Sequence, residues 1–329
     1  MTDAMHDYLT ALLADNSTRD ALEHLGYSSA SFGSLRVLCS NYDVEIPART
    51  NQHSTMPPAS HQMPQEARKR YMATPATRRE IGVERAVILG DLHVPYQDDR
   101  AVELALAIVT DLQPEVVIFN GDVWDAFQVS RFSKSPERVP QMQADLDEAS
   151  AILGRFRAAV PAADMRLVRG NHEARLERYL CDEAPALHGL RDLDVAHLLN
   201  LAELNIEYVR GRGKEAYTQY GSILVGHFDK VHQKAGYTAT SLLEKHAQSL
   251  VQGHTHRGAV VYRSYPDGRE VCGVEGFCLC DRNPEYVSDP DWMNGLVVIT
   301  KRVDTDRFHI TPVPFVDNEA LFSNTLYSA

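Results

Sequence analysis

The chain has 329 residues, of which 44% are hydrophobic and 24% charged, so a wholly disordered protein is excluded and one large domain, with or without a small one, is expected. No window approaches the ~18 apolar residues of a membrane helix, and the opening MTDAMHDYLT lacks the basic and apolar segments of a signal peptide, so we expect a cytoplasmic protein with no membrane contact. The net charge of −12 excludes a broad nonspecific coat for nucleic acid, and five dispersed cysteines predict reduced thiols.

Residues 1–50 are predicted to form a small all-α module. Apolar residues recur at helical spacing over 5–14, and further helices are expected over 17–26 and 28–39. The string TRDALEHLGYSSASFGSLRVLC resembles the helix-turn-helix unit of DNA-binding proteins, with the third helix as the reading helix. Three basic side chains against seven acidic ones oppose that function. Two interpretations therefore stay open: a DNA contact, or a helical module that packs on its own chain or on a partner, a second copy included.

Residues 51–82 differ in composition from what surrounds them, being rich in Pro, Gln, Ser, Met and Arg with weak apolar periodicity. This composition predicts a linker. Its second half is the most basic part of the chain and carries Arg68, Lys69, Arg70, Arg78 and Arg79. A solvated flexible tether is the favoured interpretation, and a contact with phosphates is the alternative.

Strands and helices alternate after Gly82. The predicted segments are a strand over 85–90, a helix over 98–112, a strand over 115–120, a helix over 142–156, strands over 165–168 and 222–225, a helix over 235–246, a strand over 250–252, and β-rich segments between 259 and 314. Strand, helix and strand at this spacing indicate parallel βαβ units. The predicted fold class is therefore α/β with a β-rich second half.

Five short segments place a side chain able to bind a metal directly after an apolar strand, next to glycine. They are Gly90-Asp91-Leu92-His93, Gly121-Asp122-Val123-Trp124-Asp125, Gly170-Asn171-His172-Glu173, Gly226-His227 and Gly253-His254-Thr255-His256. The carboxyl ends of parallel strands meet at one edge of a sheet, so these side chains are expected to converge there. Asp, Asn and His are ligands that suit Mn²⁺, Fe or Zn²⁺, and the glycines permit tight turns.

Taken in order, these segments form the set D-x-H, G-D-x-x-D, G-N-H-E, H and G-H-x-H. The ordered set resembles that of the calcineurin-like metallophosphoesterase superfamily, across roughly residues 84–315. The resemblance implies an α/β sandwich of two packed sheets flanked by helices, which here would follow the all-α N-terminal module. The segment from Glu275 to Gly295 is similar to the terminal portion of phage and prophage members.

The resemblance also implies a dimetal centre. Asp91, His93 and His256 would hold one divalent ion, Asn171, His227 and His254 would hold the other, and Asp122 would bridge them. Mn²⁺ is the favoured metal, with Fe, Zn²⁺ or Ni²⁺ as alternatives. A hydroxide shared between the ions would attack phosphorus, since coordination lowers the pKa of water.

Two further residues acquire roles from the same resemblance. His172 would protonate the leaving oxygen, and Asp125 would orient its imidazole. Arg175, Arg178 and Arg257 are candidate ligands for the substrate phosphate, although salt bridges to Glu173 or Glu177 are an equal alternative for Arg178. The remaining histidines lack the strand and glycine context, and Cys272, Cys278 and Cys280 are expected as buried thiols.

The sequence thus predicts a hydrolase of phosphoester bonds, and a nuclease or phosphodiesterase is favoured. The spacing of Asp125 from Asp122 resembles the phosphatase-like members of the superfamily, so a phosphomonoesterase or a phosphatase of (cyclic) nucleotides is the alternative. A third possibility is a DNA-binding regulatory or assembly protein with a secondary phosphoesterase domain. The expected partners are a nucleic acid or nucleotide substrate and, through the N-terminal module, DNA.

Overall fold

The computed structural model describes residues 2–15, 21, 25, 38–45, 80–133, 142–211, 216–283 and 290–329. The chain divides into two compact units, Met1–Arg79 and Glu80–Ala329. Among the described residues there is no helix with the length and apolar content needed to cross a membrane. All five cysteines are free thiols, as the sequence predicts.

The first unit begins with helix α1, Thr2–Asp15, where a helix is expected. Leu9 and Leu12 of this helix pack with Leu38 and Val44 in a small core of their own. Most of the second and third predicted helices, and nearly all of the predicted linker, lie outside the described residues. The helix-turn-helix resemblance therefore stays a prediction.

The second unit contains thirteen strands and five α-helices among its described residues. In chain order they are β1 Val83–Leu89, α2 Asp99–Leu112, β2 Val116–Phe119, α3 Met142–Ala159, β3 Asp164–Val168, α4 Glu173–Glu183, α5 Val195–Leu198, β4 Ile206–Val209, β5 Tyr217–Tyr220, β6 Ile223–Gly226, α6 Tyr237–His246, β7 Leu250–Gln252, β8 Gly258–Ser264, β9 Glu270–Gly276, β10 Gly295–Arg302, β11 Phe308–Pro314, β12 Glu319–Phe322 and β13 Thr325–Ser328. Short 3₁₀ turns occur at Phe127–Val129, Pro185–Leu187 and Arg191–Leu193.

These strands form two large sheets and a hairpin. The first sheet has the order β11-β10-β1-β2-β3-β4. Strands β1 to β4 are parallel, β10 is antiparallel to β1, and β11 is antiparallel to β10. The second has the order β5-β6-β7-β9-β8, with β6, β7 and β9 parallel. Strands β12 and β13 pair with each other. Helices connect β1 to β2, β2 to β3, β3 to β4 and β6 to β7, as the alternation in the sequence predicts, whereas strand β8 connects β7 to β9.

Alternate residues of the central strands face opposite layers. Ile88 and Ile118 lie in the core between the two sheets, whereas Leu89 and Phe119 face the core formed with α2 and α3. Helix α6 covers the other sheet through a third core. This arrangement is an α/β sandwich of two packed sheets flanked by helices, and it confirms the predicted fold class.

Helix boundaries follow local chemistry. The side chain of Asp98 accepts hydrogen bonds from the backbone N–H groups of Arg100 and Ala101 and so caps α2. Helix α6 begins at Tyr237, two residues later than expected, because Gly236 precedes it in a left-handed conformation. The sequence analysis did not predict β4 and β5, which are short strands with several half-exposed or exposed residues and little apolar alternation.

Candidate metal centre and active site

The predicted ligands sit on loops that follow β1, β2, β3, β6 and β7. Five of them adopt a left-handed backbone, with φ of 52° at Asp91, 53° at His93, 50° at Asp122, 70° at His254 and 59° at His256. Such a conformation costs a non-glycine residue about 1–3 kcal/mol, and it persists only where surrounding contacts impose it. One such contact is the backbone N–H of His254, which lies 3.0 and 3.1 Å from the two carboxylate oxygens of Asp91. Strain of this kind concentrates at functional sites.

Two glycines are required by the packing around Asp122. A Cβ at Gly170 would lie 2.1 Å from Oδ1 of Asp122, and Gly121 has a φ of +90° with its missing Cβ directed at His227. A side chain at either position would displace the loops that carry the candidate ligands. Gly121 and Gly170 therefore allow the ligand loops to pack closely against each other, in addition to allowing tight turns.

The structure brings Asp91, His93 and His256 together. Nε2 of His256 lies 3.1 Å from Oδ1 of Asp91 and 3.0 Å from Nε2 of His93. Nε2 of His93 lies 3.7 Å from Oδ2 of Asp122. All four side chains are buried, so their donor atoms face one another rather than bulk water.

Asn171, His227 and His254 form a second group that also contacts Asp122. Nε2 of His227 lies 2.9 Å from Oδ1 of Asn171, 3.2 Å from Nδ1 of His254 and 3.1 Å from Oδ2 of Asp122. One carboxylate oxygen, Oδ2 of Asp122, therefore borders both groups. Its other oxygen accepts the backbone N–H of His172 at 2.9 Å.

The donor set suits two divalent cations. Carboxylate, amide and imidazole donors are grouped twice around a shared carboxylate, and the ligand atoms of Asp122, His227 and His254 all lie within 4.8 Å of one another. The orientation of the rings also fits. Nδ1 of His227 lies 2.9 Å from the backbone carbonyl of Asn120, which leaves Nε2 to face the centre.

The charges of the centre favour neutral histidines at two positions. Burial, together with the neighbouring His172, lowers the pKa of His93 to about 4. Burial, together with His227, lowers the pKa of His254 to about 4. A neutral imidazole has the free electron pair that metal coordination requires.

His227 behaves differently because it faces two carboxylates. Burial lowers the pKa of His227, but the charges of Asp122 and Asp91 outweigh burial and raise it to about 10. Burial raises the pKa of Asp122, and the surrounding histidines, His172 and His227 first, bring it well below its usual value. These neighbours therefore favour the ionised form of the buried Asp122 carboxylate.

Glu173 is a buried residue whose role the sequence analysis missed. Its Oε2 accepts backbone N–H groups of Gly170 at 2.8 Å and Asp122 at 3.0 Å. Its Oε1 accepts those of Val123 at 2.8 Å and Trp124 at 3.3 Å. One carboxylate thus fastens the two loops that carry Asp122 and Asn171. The only signal in the sequence was its position at the end of the Gly-Asn-His-Glu segment.

His172 lies beside the two groups, and contacts at its Nδ1 fix the orientation of the ring. Nδ1 is 3.1 Å from Oδ2 of Asp125 and 3.0 Å from the backbone carbonyl of the same residue. Nε2 faces inward, 3.7 Å from Oδ2 of Asp122. The same carboxylate of Asp125 lies 3.3 Å from Nδ1 of His93. Asp125 therefore orients two histidines at once, one of them a candidate metal ligand.

The three candidate arginines differ in their surroundings. Arg175 donates to the backbone carbonyl of Asp125 at 2.8 Å, and its Nη2 lies 2.9 Å from Nε2 of His172. Arg178 donates to the backbone carbonyls of Asn171 and Ala174.

The alternative partners of Arg178 are engaged elsewhere. Glu177 pairs with Arg169 at 3.3 Å, and Glu173 accepts backbone N–H groups. Arg175 and Arg178 both line a cavity of about 610 Å³ that also reaches Asn171. These two arginines are therefore placed to meet a substrate that enters the centre from that side.

Arg257 is engaged outside the centre. Its three nitrogens donate to Asp291 at 2.7 Å and to the backbone carbonyls of His232 and Gln233 at 2.6 and 3.4 Å. These contacts fix loops on the surface. A contact of Arg257 with phosphate stays a prediction, and it would require the exchange of one of these bonds.

Of the three cysteines expected as buried thiols, Cys280 lies close to the candidate centre. Cys272, Cys278 and Cys280 are buried, and Sγ of Cys280 is 3.7 Å from Nδ1 of His256. His93, His256 and Cys280 also form a group whose ligand atoms lie within 4.8 Å of one another. The sequence analysis did not anticipate this proximity, because a single Cys-Leu-Cys lacks the paired spacing of a cysteine metal site.

The sequence was compared with known protein families and relatives. The family described as calcineurin-like phosphoesterase matches residues 84–258, more than half of the chain. The Gene 54 protein of Mycobacterium phage D29 is 27% identical over 254 residues, which cover 71% of this chain and 94% of that protein. The Gene 54 protein of Mycobacterium phage L5 is 24% identical over 251 residues, with the same coverage of 71% and 94%. These relatives confirm the similarity to phage proteins.

Solved structures show more distant similarity. Vps29 from Entamoeba histolytica, complexed with zinc, has a TM-score of 0.38 and 13% identity, covering 72% of this chain and 95% of that one. The phosphoesterase YfcE from E. coli has a TM-score of 0.29 and 13% identity, covering 69% and 98%. The match of the family model over residues 84–258 shows that the chain belongs to the calcineurin-like phosphoesterase family.

Proposed function

We propose that the protein hydrolyses phosphodiester bonds of nucleotides or nucleic acid at the centre around Asp122, with His172 as general acid. The observation that carries the proposal is the shared position of Oδ2 of Asp122. It borders Nε2 of His93 at 3.7 Å and Nε2 of His227 at 3.1 Å, with Nε2 of His172 also at 3.7 Å.

Two divalent cations, Mn²⁺ being the favoured choice, would be held by the predicted ligands. When bound, they supply positive charge for the phosphoryl oxygens and lower the pKa of a water so that it can attack phosphorus. The ligands would be Asp91, His93 and His256 for one ion, Asn171, His227 and His254 for the other, and Asp122 for both.

The proton for the leaving oxygen comes from this chain. With Nδ1 held by Asp125, Nε2 is the nitrogen of His172 that would meet the substrate. Nη2 of Arg175, which can only donate, lies 2.9 Å from this Nε2, so Arg175 would turn away from it when a protonated Nε2 meets the leaving oxygen. The carboxylate of Asp125 stabilises the protonated ring. Arg175, beside Nε2, is placed to accompany the leaving oxygen or a nonbridging phosphoryl oxygen.

The space beside the centre supports a diester. A phosphodiester carries two substituents, and the cavity of about 610 Å³ that reaches Asn171 and Arg175 offers room for one of them.

A phosphomonoesterase is the second candidate, and the position of Asp125 three residues after Asp122 favours it. Hydrolysis of bis-p-nitrophenyl phosphate and of p-nitrophenyl phosphate, compared at several Mn²⁺ concentrations, separates the two. We expect the higher kcat/KM on the diester. The Asp122→Asn variant, purified in parallel, measures contaminating phosphatase. A higher kcat/KM on the monoester would replace the proposal with the second candidate.

A further inference from the structure

A cavity next to the candidate centre combines two exposed aromatic rings with arginines. It has a volume of about 610 Å³, within the range of small-molecule sites. The residues that matter here are Arg131, Phe132, Asn171, Arg175, Arg178 and Tyr179. Arg131 is paired with Asp182, whereas Arg175 and Asn171 belong to the centre itself. The cavity is thus an extension of the centre.

The cavity lies on the side of the centre where a leaving group would depart. Nε2 of His172, the atom proposed to give up the proton, is 2.9 Å from Nη2 of Arg175, which lines the cavity. A leaving oxygen within hydrogen-bond reach of Nε2 is therefore next to the cavity. The group attached to that oxygen has this space to occupy.

Two aromatic side chains are left uncovered in this space. Phe132 is 71% exposed and Tyr179 is 43% exposed, so part of each ring is open to solvent and to a bound molecule. They come from different segments, the loop after the 3₁₀ turn Phe127–Val129 and helix α4. Cζ of Arg175 lies 5.8 Å from the centroid of the Phe132 ring. Flat rings with an arginine beside them are the surface on which nucleobases stack.

Resting on the proposed function, we infer that this cavity binds the leaving nucleoside of a phosphodiester, with its base against Phe132 and Tyr179. Water adds its oxygen to phosphorus and the bond from phosphorus to the leaving oxygen breaks. The electron pair stays on that oxygen, which takes the proton from Nε2 of His172. The products are a phosphomonoester and a nucleoside with a free hydroxyl.

Matched dinucleotides test this assignment. The substrates are thymidylyl-thymidine and the two dinucleotides in which one or the other sugar lacks its base, and identification of the products shows which nucleoside leaves. Phe132→Ala and Tyr179→Ala are each expected to lower kcat/KM about fivefold or more wherever the leaving sugar carries a base, the usual size of a stacking contact. Neither variant should change kcat/KM when the leaving sugar is abasic.

Tyr262→Ala is the matched control variant, since Tyr262 on β8 is 73% exposed and lies outside the cavity. Tyr262→Ala should leave kcat/KM unchanged on all three dinucleotides. Two results for Phe132→Ala and Tyr179→Ala would overturn the assignment. One is an equal loss of kcat/KM on all three dinucleotides, and the other is a loss that depends on the base of the nucleotide that keeps the phosphate. A wild-type protein that cleaves bis-p-nitrophenyl phosphate but no dinucleotide would also overturn it, with the phosphodiesterase proposal intact. Failure to cleave any diester would instead overturn the proposed function.

A thymidine oligonucleotide of about ten residues, measured alongside, identifies the source of the nucleoside, because a groove for single strands contacts about 4–16 nucleotides. The losses in Phe132→Ala should appear on both the oligonucleotide and the dinucleotide. Whichever has the higher kcat/KM with the wild-type protein is the preferred source. Absence of the loss on both substrates would count against the cavity.

Discussion

His172 shows how one ring can be placed for either of two roles. Its Nε2 is close enough to Asp122 and His93 for the three to form a possible ligand group, and its Nδ1 is oriented by Asp125 as a general acid would require. Geometry alone permits both roles. Metal content and turnover of a variant separate them.

We expect His172→Ala to retain both metals and the fold while turnover drops by ~10²–10⁴, the range usual for a positioned general acid. The loss should be smaller on bis-p-nitrophenyl phosphate than on a diester with a poorer leaving group, which needs protonation more. Steady-state kinetics and elemental analysis of the purified protein measure both quantities. Asp122→Asn provides the contrast, since it should lose metal. An equal loss of metal in His172→Ala would make this residue a ligand.

At the scale of the element, Glu173 links the start of helix α4 to the loop after β2. Four backbone N–H groups converge on its two oxygens, and the side chain is 1% exposed. Burial, followed by the charge of Asp122, raises the pKa of Glu173. A buried backbone N–H group that lacks an acceptor destabilises the folded state. Glu173, the first residue of α4, therefore fixes the backbone that carries the Asp122 carboxylate.

Glu173→Gln is expected to destabilise the protein and weaken metal binding. The amide offers one oxygen and one NH₂ group, so two backbone donors would lose their acceptor and face another donor, at a cost of ~1–3 kcal/mol each. Loss of a partner that orients a ligand also lowers metal affinity by ~10–100-fold. Thermal unfolding and a Mn²⁺ titration measure these effects. Glu183→Gln, at the exposed end of the same helix, is the control. An unchanged melting temperature in Glu173→Gln would contradict this role.

At the scale of the whole molecule, the candidate centre joins both sheets. Ligands that follow β1, β2 and β3 of the first sheet meet ligands that follow β6 and β7 of the second. Cations bound there would link the two sheets in the folded state only. Binding to the folded state raises stability by mass action.

We therefore expect two Mn²⁺ ions per chain and a higher melting temperature with Mn²⁺ than with a chelator. At a free Mn²⁺ concentration 100 times the Kd, one site adds ~2.7 kcal/mol to the free energy of unfolding. Calorimetric titration gives the stoichiometry and differential scanning fluorimetry gives the shift. Asp122→Asn should show little shift, because it lies between both groups. A saturated stoichiometry of one ion or none would rule out the dimetal assignment.

The N-terminal unit poses a separate question, because its described residues have their own small core. If residues 1–50 and the basic half of the predicted linker deliver nucleic acid, a chain that starts at Gly82 should keep its rate on a small chromogenic diester and lose affinity for DNA or RNA. Neutral replacements of the basic side chains should lower the slope of log K against log salt by about one per phosphate contact. These are Arg68, Lys69, Arg70, Arg78 and Arg79.

Mobility-shift assays over a salt series measure this dependence. Equal affinity of the full and shortened chains for nucleic acid would assign the unit to assembly or to another partner. Residues 1–50 carry more acidic than basic side chains, which favours this second outcome over binding of nucleic acid. A small nucleotide would then be the favoured substrate.

The sequence by itself predicted most of the main elements and named the side chains that the structure brings together around Asp122. Apolar periodicity and glycine positions are patterns of a few residues, and they predicted most of the strands and helices. They also predicted the polar segments that follow β1, β2 and β3. The order of Asp91, Asp122 and Asn171 along the chain was enough to predict that these side chains meet.

Only the tertiary structure decided which atoms face each other. The resemblance in sequence already groups His93 with His256, 163 positions apart, but the contact between their Nε2 atoms appears only in the folded chain. The backbone N–H of His172 likewise selects which oxygen of Asp122 borders both groups. The double role of Asp125 and the surface contacts of Arg257 also depend on distant loops. Local patterns fix residue type and spacing, whereas contacts between segments far apart in sequence are set by how the two sheets pack.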